Sequence, residues 1–237
     1  MPSCTWTWLV LACAAACGPA VAPRADAPGK PWADRFDEKD SDLVSTGRNT
    51  YWVLEPGYTL ELEGAEKGKK LRLVVSVLPE TRQVAGVETR VVEERETLDG
   101  QVVEVSRNYF ASSKRTGNIY YFGEDVDEYK NGKVAGHGGS WHAGEKGARF
   151  GLIMPAKPQP GDRYYQEVAP KVAMDRMEIV SVTEKMKTAA GAFDSVLKTE
   201  ETTPLEPDTR EYKYYAPGVG LIQDGAAKLV RYGKNLK

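Results

Sequence analysis

Cysteine is almost missing from this chain. The 237 residues hold three, Cys4, Cys13 and Cys17, all within the first seventeen positions. A folded part without cysteine has no disulfide framework and no thiolate zinc site. Histidine is as scarce, with only His137 and His142, a thin supply for a metal centre or a general base. Neither sign of charge is in excess: 32 basic residues face 34 acidic ones, for a net charge of −2. That balance excludes nucleic-acid binding by bulk charge. The apolar run at residues 8–16 is too short to span a bilayer. No window holds an i, i+3, i+4 stripe for three turns, and residues 34–42 are the best helical candidate. Chain-wide disorder is excluded too, because 41% of the residues are hydrophobic and the net charge is small.

What is present begins with the leader. Residues 1–17 carry no charged side chain, and residues 8–16 have the length of a signal-peptide core. Ala14-Ala15-Ala16-Cys17 has the form of a bacterial lipobox, small residues before a cysteine that becomes acylated. Cys13 is a second processing position, and Ala20-Val21-Ala22 a third that Pro23 disfavours. Residues 1–17 are therefore expected to be a signal peptide of the lipoprotein type. Residues 18–48 read as an Ala/Pro-rich tether and lead-in that buries too little surface to offset its chain entropy. Residues 49–237 remain for the folded domain. An acylated Cys17 implies an exported protein anchored to a membrane of the cell envelope, in the periplasm or at the cell surface.

From Asn49 onward the pattern is that of strands. Tyr58, Leu60 and Leu62 alternate with Thr59, Glu61 and Glu63, the period of a half-buried strand. Residues 71–78 form a β-branched, apolar run that Pro79 is expected to close. Residues 87–97 and 101–112 flank Asp99-Gly100, and a second hairpin turns at Asn131-Gly132; both dipeptides suit primed turns. Further strands are expected within 163–168, 177–183, 195–201, 212–215 and 228–232. Strands separated by turns, with no helices between, predict one antiparallel all-β domain: a curved sheet, a clam-like half-barrel or a sandwich. The loop 154–162 is the natural seam if there were two domains.

Several segments resemble a group of exported, β-rich bacterial proteins that are mostly uncharacterised. They are Tyr51-Trp52-Val53-Leu54-Glu55-Pro56-Gly57, Tyr120-Tyr121-Phe122-Gly123-Glu124-Asp125 with Glu128-Tyr129-Lys130-Asn131-Gly132-Lys133, Gly139-Ser140-Trp141, and the run from Tyr214 to Ile222. The likeness spans about residues 48–224. It implies export and a β-rich fold; it assigns no activity and no catalytic residue.

Four clusters carry candidate chemistry. In His137-Gly138-Gly139-Ser140-Trp141-His142, Ser140 could be a hydrolase nucleophile with His137 or His142 as its base. The closing glycine and the strand–helix setting of a nucleophile elbow are missing, so a glycine-rich loop with Trp141 tucked inward is the simpler reading. The two histidines with Glu145 could hold zinc only if the loop folded back. Glu124, Asp125, Asp127 and Glu128 could supply calcium ligands. Alternation puts Glu124 and Glu128 on one face and Asp125 and Asp127 on the other, however, which suits a solvated edge strand. Ala216-Pro217-Gly218-Val219-Gly220 lacks the following Lys-Ser/Thr of a phosphate loop and reads as a turn. Aromatic residues are the fourth signal: Trp52, Tyr121, Trp141, Tyr165 and Tyr214 could line a concave sheet face. These readings favour a non-catalytic binding or structural module with no cofactor, whose ligand is a small molecule, a sugar or a protein. The alternatives are a hydrolase at Ser140 and a calcium- or zinc-binding envelope protein.

Overall fold

Four two-residue turns set the framework. Lys67-Gly68, Ala85-Gly86, Asp99-Gly100 and Asn131-Gly132 each place both residues at positive φ, between 47° and 83°. Two successive positive φ values make a type I′ turn, whose twist matches that of the strands it joins. These turns lie in a computed structural model that describes residues 30–236. It contains a single 3-10 turn, Asp40–Asp42. The strands are β1 Leu43–Val44, β2 Gly47–Asn49, β3 Trp52–Leu54, β4 Tyr58–Glu66, β5 Lys69–Val84, β6 Val87–Leu98, β7 Gln101–Ser113, β8 Ile119–Lys130 and β9 Lys133–Gly136. They continue with β10 Trp141–His142, β11 Arg149–Met154, β12 Arg163–Tyr165, β13 Glu167–Val168, β14 Arg176–Thr188, β15 Gly191–Thr203, β16 Glu206–Ala216, β17 Gly220–Asp224 and β18 Ala227–Lys234.

One antiparallel sheet runs β12-β14-β15-β16-β17-β18-β4-β5-β6-β7-β8-β11-β13. Its two ends are chain neighbours: only Gln166 separates β12 from β13. The sheet therefore returns on itself and is nearly a closed barrel, in a single domain. Near-closure leaves little free edge, which limits pairing with other chains. The small β2–β3 sheet lies across one barrel end. Asn49 donates to the carbonyls of Gly117 and Met154, Tyr51 Oη to that of Ser195, and Gly218 N to that of Thr50. Those partners belong to β11, to β15 and to the turns after β7 and β16, on opposite sides of the ring. Among the described residues no helix is long and apolar enough to cross a membrane.

Pro79 does not end its strand. β5 passes through it to Val84, and the ladder to β6 shifts register between Val77 and Thr81. The guanidinium of Arg90, itself 7% exposed, explains why this is tolerated. Its Nη1 donates to the carbonyls of Leu78, Pro79 and Glu80, and its Nε to that of Ser45 at 2.7 Å. A bulge freed by an imino acid thus finds its donors in one side chain.

The lead-in is part of the domain from Lys30 onward. Ala33 bridges Tyr164, and Asp34 pairs with Arg149 at 2.9 Å. Phe36 packs on the Tyr120 ring at 5.6 Å. Glu38 accepts from Ser113, Thr116 and Tyr120 and pairs with Arg115. The helix candidate at 34–42 is an extended strap with one 3-10 turn, because its apolar residues are too few to cover a helical face. The leader, Cys13, Cys17 and tether positions 18–29 lie outside the described residues.

Candidate functional site

Alternation along each strand divides the side chains between a charged outer face and the barrel interior. Outside, Glu61 sits between Arg72 and Arg231, at 3.1 and 2.6 Å. Arg107 joins Glu93 to Asp127. Inside lies a cavity of about 1320 Å³, larger than the roughly 300–1,000 Å³ of ordinary small-molecule sites. Strands β4 and β5 give it an aliphatic wall of Leu60, Leu71, Leu73, Val75 and Val77. Trp52, Phe110, Tyr215 and Val219 line its end at the β2–β3 sheet. Trp52 meets Phe110 edge-on, with centroids 5.2 Å apart.

The remaining wall is acidic. Glu94 and Glu96 on β6, Glu104 on β7, and Glu124 and Glu128 on β8 line the cavity. Ladder register puts Glu96 opposite Glu104, and Glu104 opposite Glu128. Like charges directly opposite repel. Burial pushes Glu94, Glu96 and Glu104 up to about 7. Burial also pushes Glu124 up to about 8, against the opposing effect of the Tyr121 hydroxyl. Across the cavity Glu167 is raised by burial and by Asp175. Lys213 lies among these acids, 3.1 Å from Glu201 and 3.5 Å from Asp224. Burial disfavours its charge, but Asp224 and Glu201 outweigh that and raise its pKa.

The structure divides the aromatic candidates. Trp52, Tyr121 and Tyr214 line the cavity. Tyr121 is only 7% exposed; it stacks on Phe110 at 4.8 Å and donates to Asn108 Oδ1. Trp141 and Tyr165 do not line it. Trp141 is buried behind Tyr121, edge-on at 5.2 Å. Tyr165 packs edge-on against Trp32 at 6.3 Å.

Around Ser140 the loop has a structural task. β9 and β10 pair with β8 on either side of a gap, opposite Val126. Ser140 Oγ accepts from Val126 N at 2.9 Å, and His137 Nδ1 lies 3.0 Å from Val126 O. The loop thus supplies the ladder bonds that the missing strand would have made. His142 Nε2 is bonded to Asp125 Oδ1 at 3.0 Å, within a group that includes Arg82 and Tyr109. Among the described residues no hydrogen bond joins Ser140 to either histidine, so no triad is assembled. Ser140→Ala is expected to lower stability by about 1 kcal/mol, the usual value of one such bond, measured by urea unfolding. A fluorophosphonate probe is expected to leave the wild type unlabelled; labelling that Ser140→Ala abolishes would overturn this assignment.

The acidic run Glu124–Glu128 is not a solvated edge. β8 lies within the sheet and Glu124 is 1% exposed. Glu124 and Glu128 face the cavity, while Asp125 and Asp127 bond to outer-face groups. Among the described residues no three His, Cys, Asp or Glu side chains are grouped to hold a metal ion. Glu145 lies 3.6 Å from His142 Nδ1 and Asp125 bonds the other ring nitrogen, so these groups do not converge on one point that could hold a metal ion. The acids at 94, 96 and 104 are not among the residues that sequence motifs single out. Their signal is the shared parity of Val92, Glu94 and Glu96 on one strand face.

No protein-family model matches this chain, and comparison with curated proteins and with solved structures finds no match either.

Proposed function

We propose that this chain is a non-catalytic binding protein of the bacterial cell envelope, tethered by an acylated Cys17, that holds a small apolar molecule inside its barrel. One observation carries the reading: beside a packed core that includes Leu62, Val92, Ile222 and Leu229, the interior keeps a large open space. Leu71, Leu73 and Val75 are only half-buried, although they face inward. In a packed barrel such side chains interdigitate and leave no room for a ligand. Apolar surface left accessible inside a protein is what an apolar ligand gains by covering. The engaged hydroxyl of Ser140 and the absence of a bonded histidine fit binding better than hydrolysis.

The test is uptake of N-phenyl-1-naphthylamine, a dye that fluoresces when it leaves water. The full chain is expected to take up the dye saturably. Leu73→Glu is expected to weaken uptake about tenfold, the effect of some 1.4 kcal/mol, with its far-UV spectrum unchanged. A wild type that takes up no dye, or a variant that binds as well as wild type, would overturn the proposal.

A further inference from the structure

We infer that the occupant carries a protonated amine on an apolar chain, with its ammonium group among Glu94, Glu96, Glu104 and Glu124 and its tail along Leu73 and Val75. This rests on the binding reading above and adds the chemistry of the ligand's head. Strand register places the two surfaces side by side: Val75 is opposite Glu94, and Leu73 is opposite Glu96. One molecule a few carbons long would touch both.

The charge of Lys213 reaches this acidic surface at Glu94, but that ammonium is already held by Glu201 and Asp224. Among the described residues none of these four carboxyls makes an ion pair. Glu124 Oε2 has no hydrogen-bond partner there, since the nearby Tyr121 hydroxyl donates to Asn108 Oδ1, although Glu124 is 1% exposed and lines the cavity. A buried polar atom left unmatched costs free energy that a donor from a ligand would recover. The far wall shows how an ammonium group fits: Lys213 takes Glu201 and Asp224 at 3.1 and 3.5 Å. A metal ion suits the site less well. Calcium needs six to eight converging oxygens, whereas these carboxyls are spread along three strands with no metal-sized grouping. A protonated amine has three donors and tolerates a wide arc of acceptors.

The test titrates the full chain with decylammonium, decanol and decanoate by calorimetry at about pH 8, where an alkylamine is protonated. Decylammonium is expected to bind at least about tenfold tighter than decanol, with decanoate weakest. In the double variant Glu94→Gln/Glu124→Gln that preference is expected to vanish while decanol affinity stays, which also reports that the barrel is intact. Glu80→Gln, on an exposed residue, is expected to keep the preference. Decanol binding without preference for the amine, or a preference that survives in the double variant, would overturn the inference alone. If none of the three probes binds, the binding reading fails with it.

Discussion

The melting temperature is expected to fall by on the order of 10 °C between pH 5 and pH 8, as ~3 kcal/mol does in a domain of this size. The cause is the acidic wall. Burial raises Glu94, Glu96 and Glu104 to about 7 and Glu124 to about 8, against about 4.3 for an ordinary glutamate. Between those limits the folded chain holds protons that the unfolded chain has released. Stability then drops as pH rises, by about 1.4 kcal/mol per pH unit for each such proton. The contribution is whole below about pH 4 and is lost as pH climbs through the folded values. Outer-face acids act in the opposite sense. Hydrogen bonds from Arg48 and Lys234 lower Glu55 to about 2. At Glu61, burial opposes ionisation, but Arg231 and Arg72 outweigh it and lower the pKa. Their contribution is present above the unfolded pKa and lost as pH falls through the folded one. Maximum stability therefore lies near pH 5. Full, uncompensated ionisation of four interior carboxyls would approach the whole net stability of a domain, so water and cations entering the cavity must offset part of it. Glu124→Gln is expected to flatten the decline and to melt a few degrees above wild type at pH 8. Scanning calorimetry across a buffer series measures both, and a melting temperature that is flat or rises from pH 5 to pH 8 would refute the account.

The turns were legible because their geometry is local. Asp99-Gly100 and Asn131-Gly132 are dipeptides that tolerate positive φ on both residues. Ala85-Gly86 makes the same turn, at φ of 51° and 83°, but alanine has no such preference and gives no signal. Pro79 misled for the converse reason. Its local effect is to break a ladder, and the side chain that repairs the break, Arg90, sits on the next strand. The cavity was half legible. Trp52 and Tyr121 drew notice as aromatics, and both line it. Glu94, Glu96 and Glu104 did not, because the wall holding them faces solvent on one side and the acidic side of the cavity on the other. Period-two alternation marks a strand only when one face is apolar. Across residues 93–96, Glu-Glu-Arg-Glu, both faces are charged; parity with Val92 is the one sequence pointer to the inner face, and the closure of the sheet establishes it. That closure depends on Gln166, which divides the strand expected within 163–168 into two short ones that belong to opposite ends of the sheet.

Closure also identifies a small change with a large cost. Gly151→Val is expected to cost the protein roughly 3 kcal/mol or more, the upper range for overpacking a filled site. Gly151 on β11 pairs with Tyr121 on β8, while its neighbours Arg149 and Phe150 pair with Val168 and Glu167 on β13. A Cβ at position 151 would fall far inside contact distance of the carbonyl oxygens of Gln166 and Tyr165. Both are backbone atoms, so no side-chain rotation relieves the clash. Gln166 is also held, with its N–H on Asp175 O at 2.8 Å and Nε2 on Glu201 at 3.2 Å. The segment that joins the two ends of the sheet must move outward, and it carries Gln166 and Glu167 of the cavity wall with it. Dye uptake is therefore expected to fall along with stability. Gly68 provides the contrast. It sits at φ of 80° with open space around its Cα, so Gly68→Ala meets only backbone strain, about 1 kcal/mol, and keeps its dye uptake. Urea unfolding of the two variants beside wild type separates the effects: if Gly151→Val costs no more than Gly68→Ala, the 163–168 segment does not close the barrel tightly.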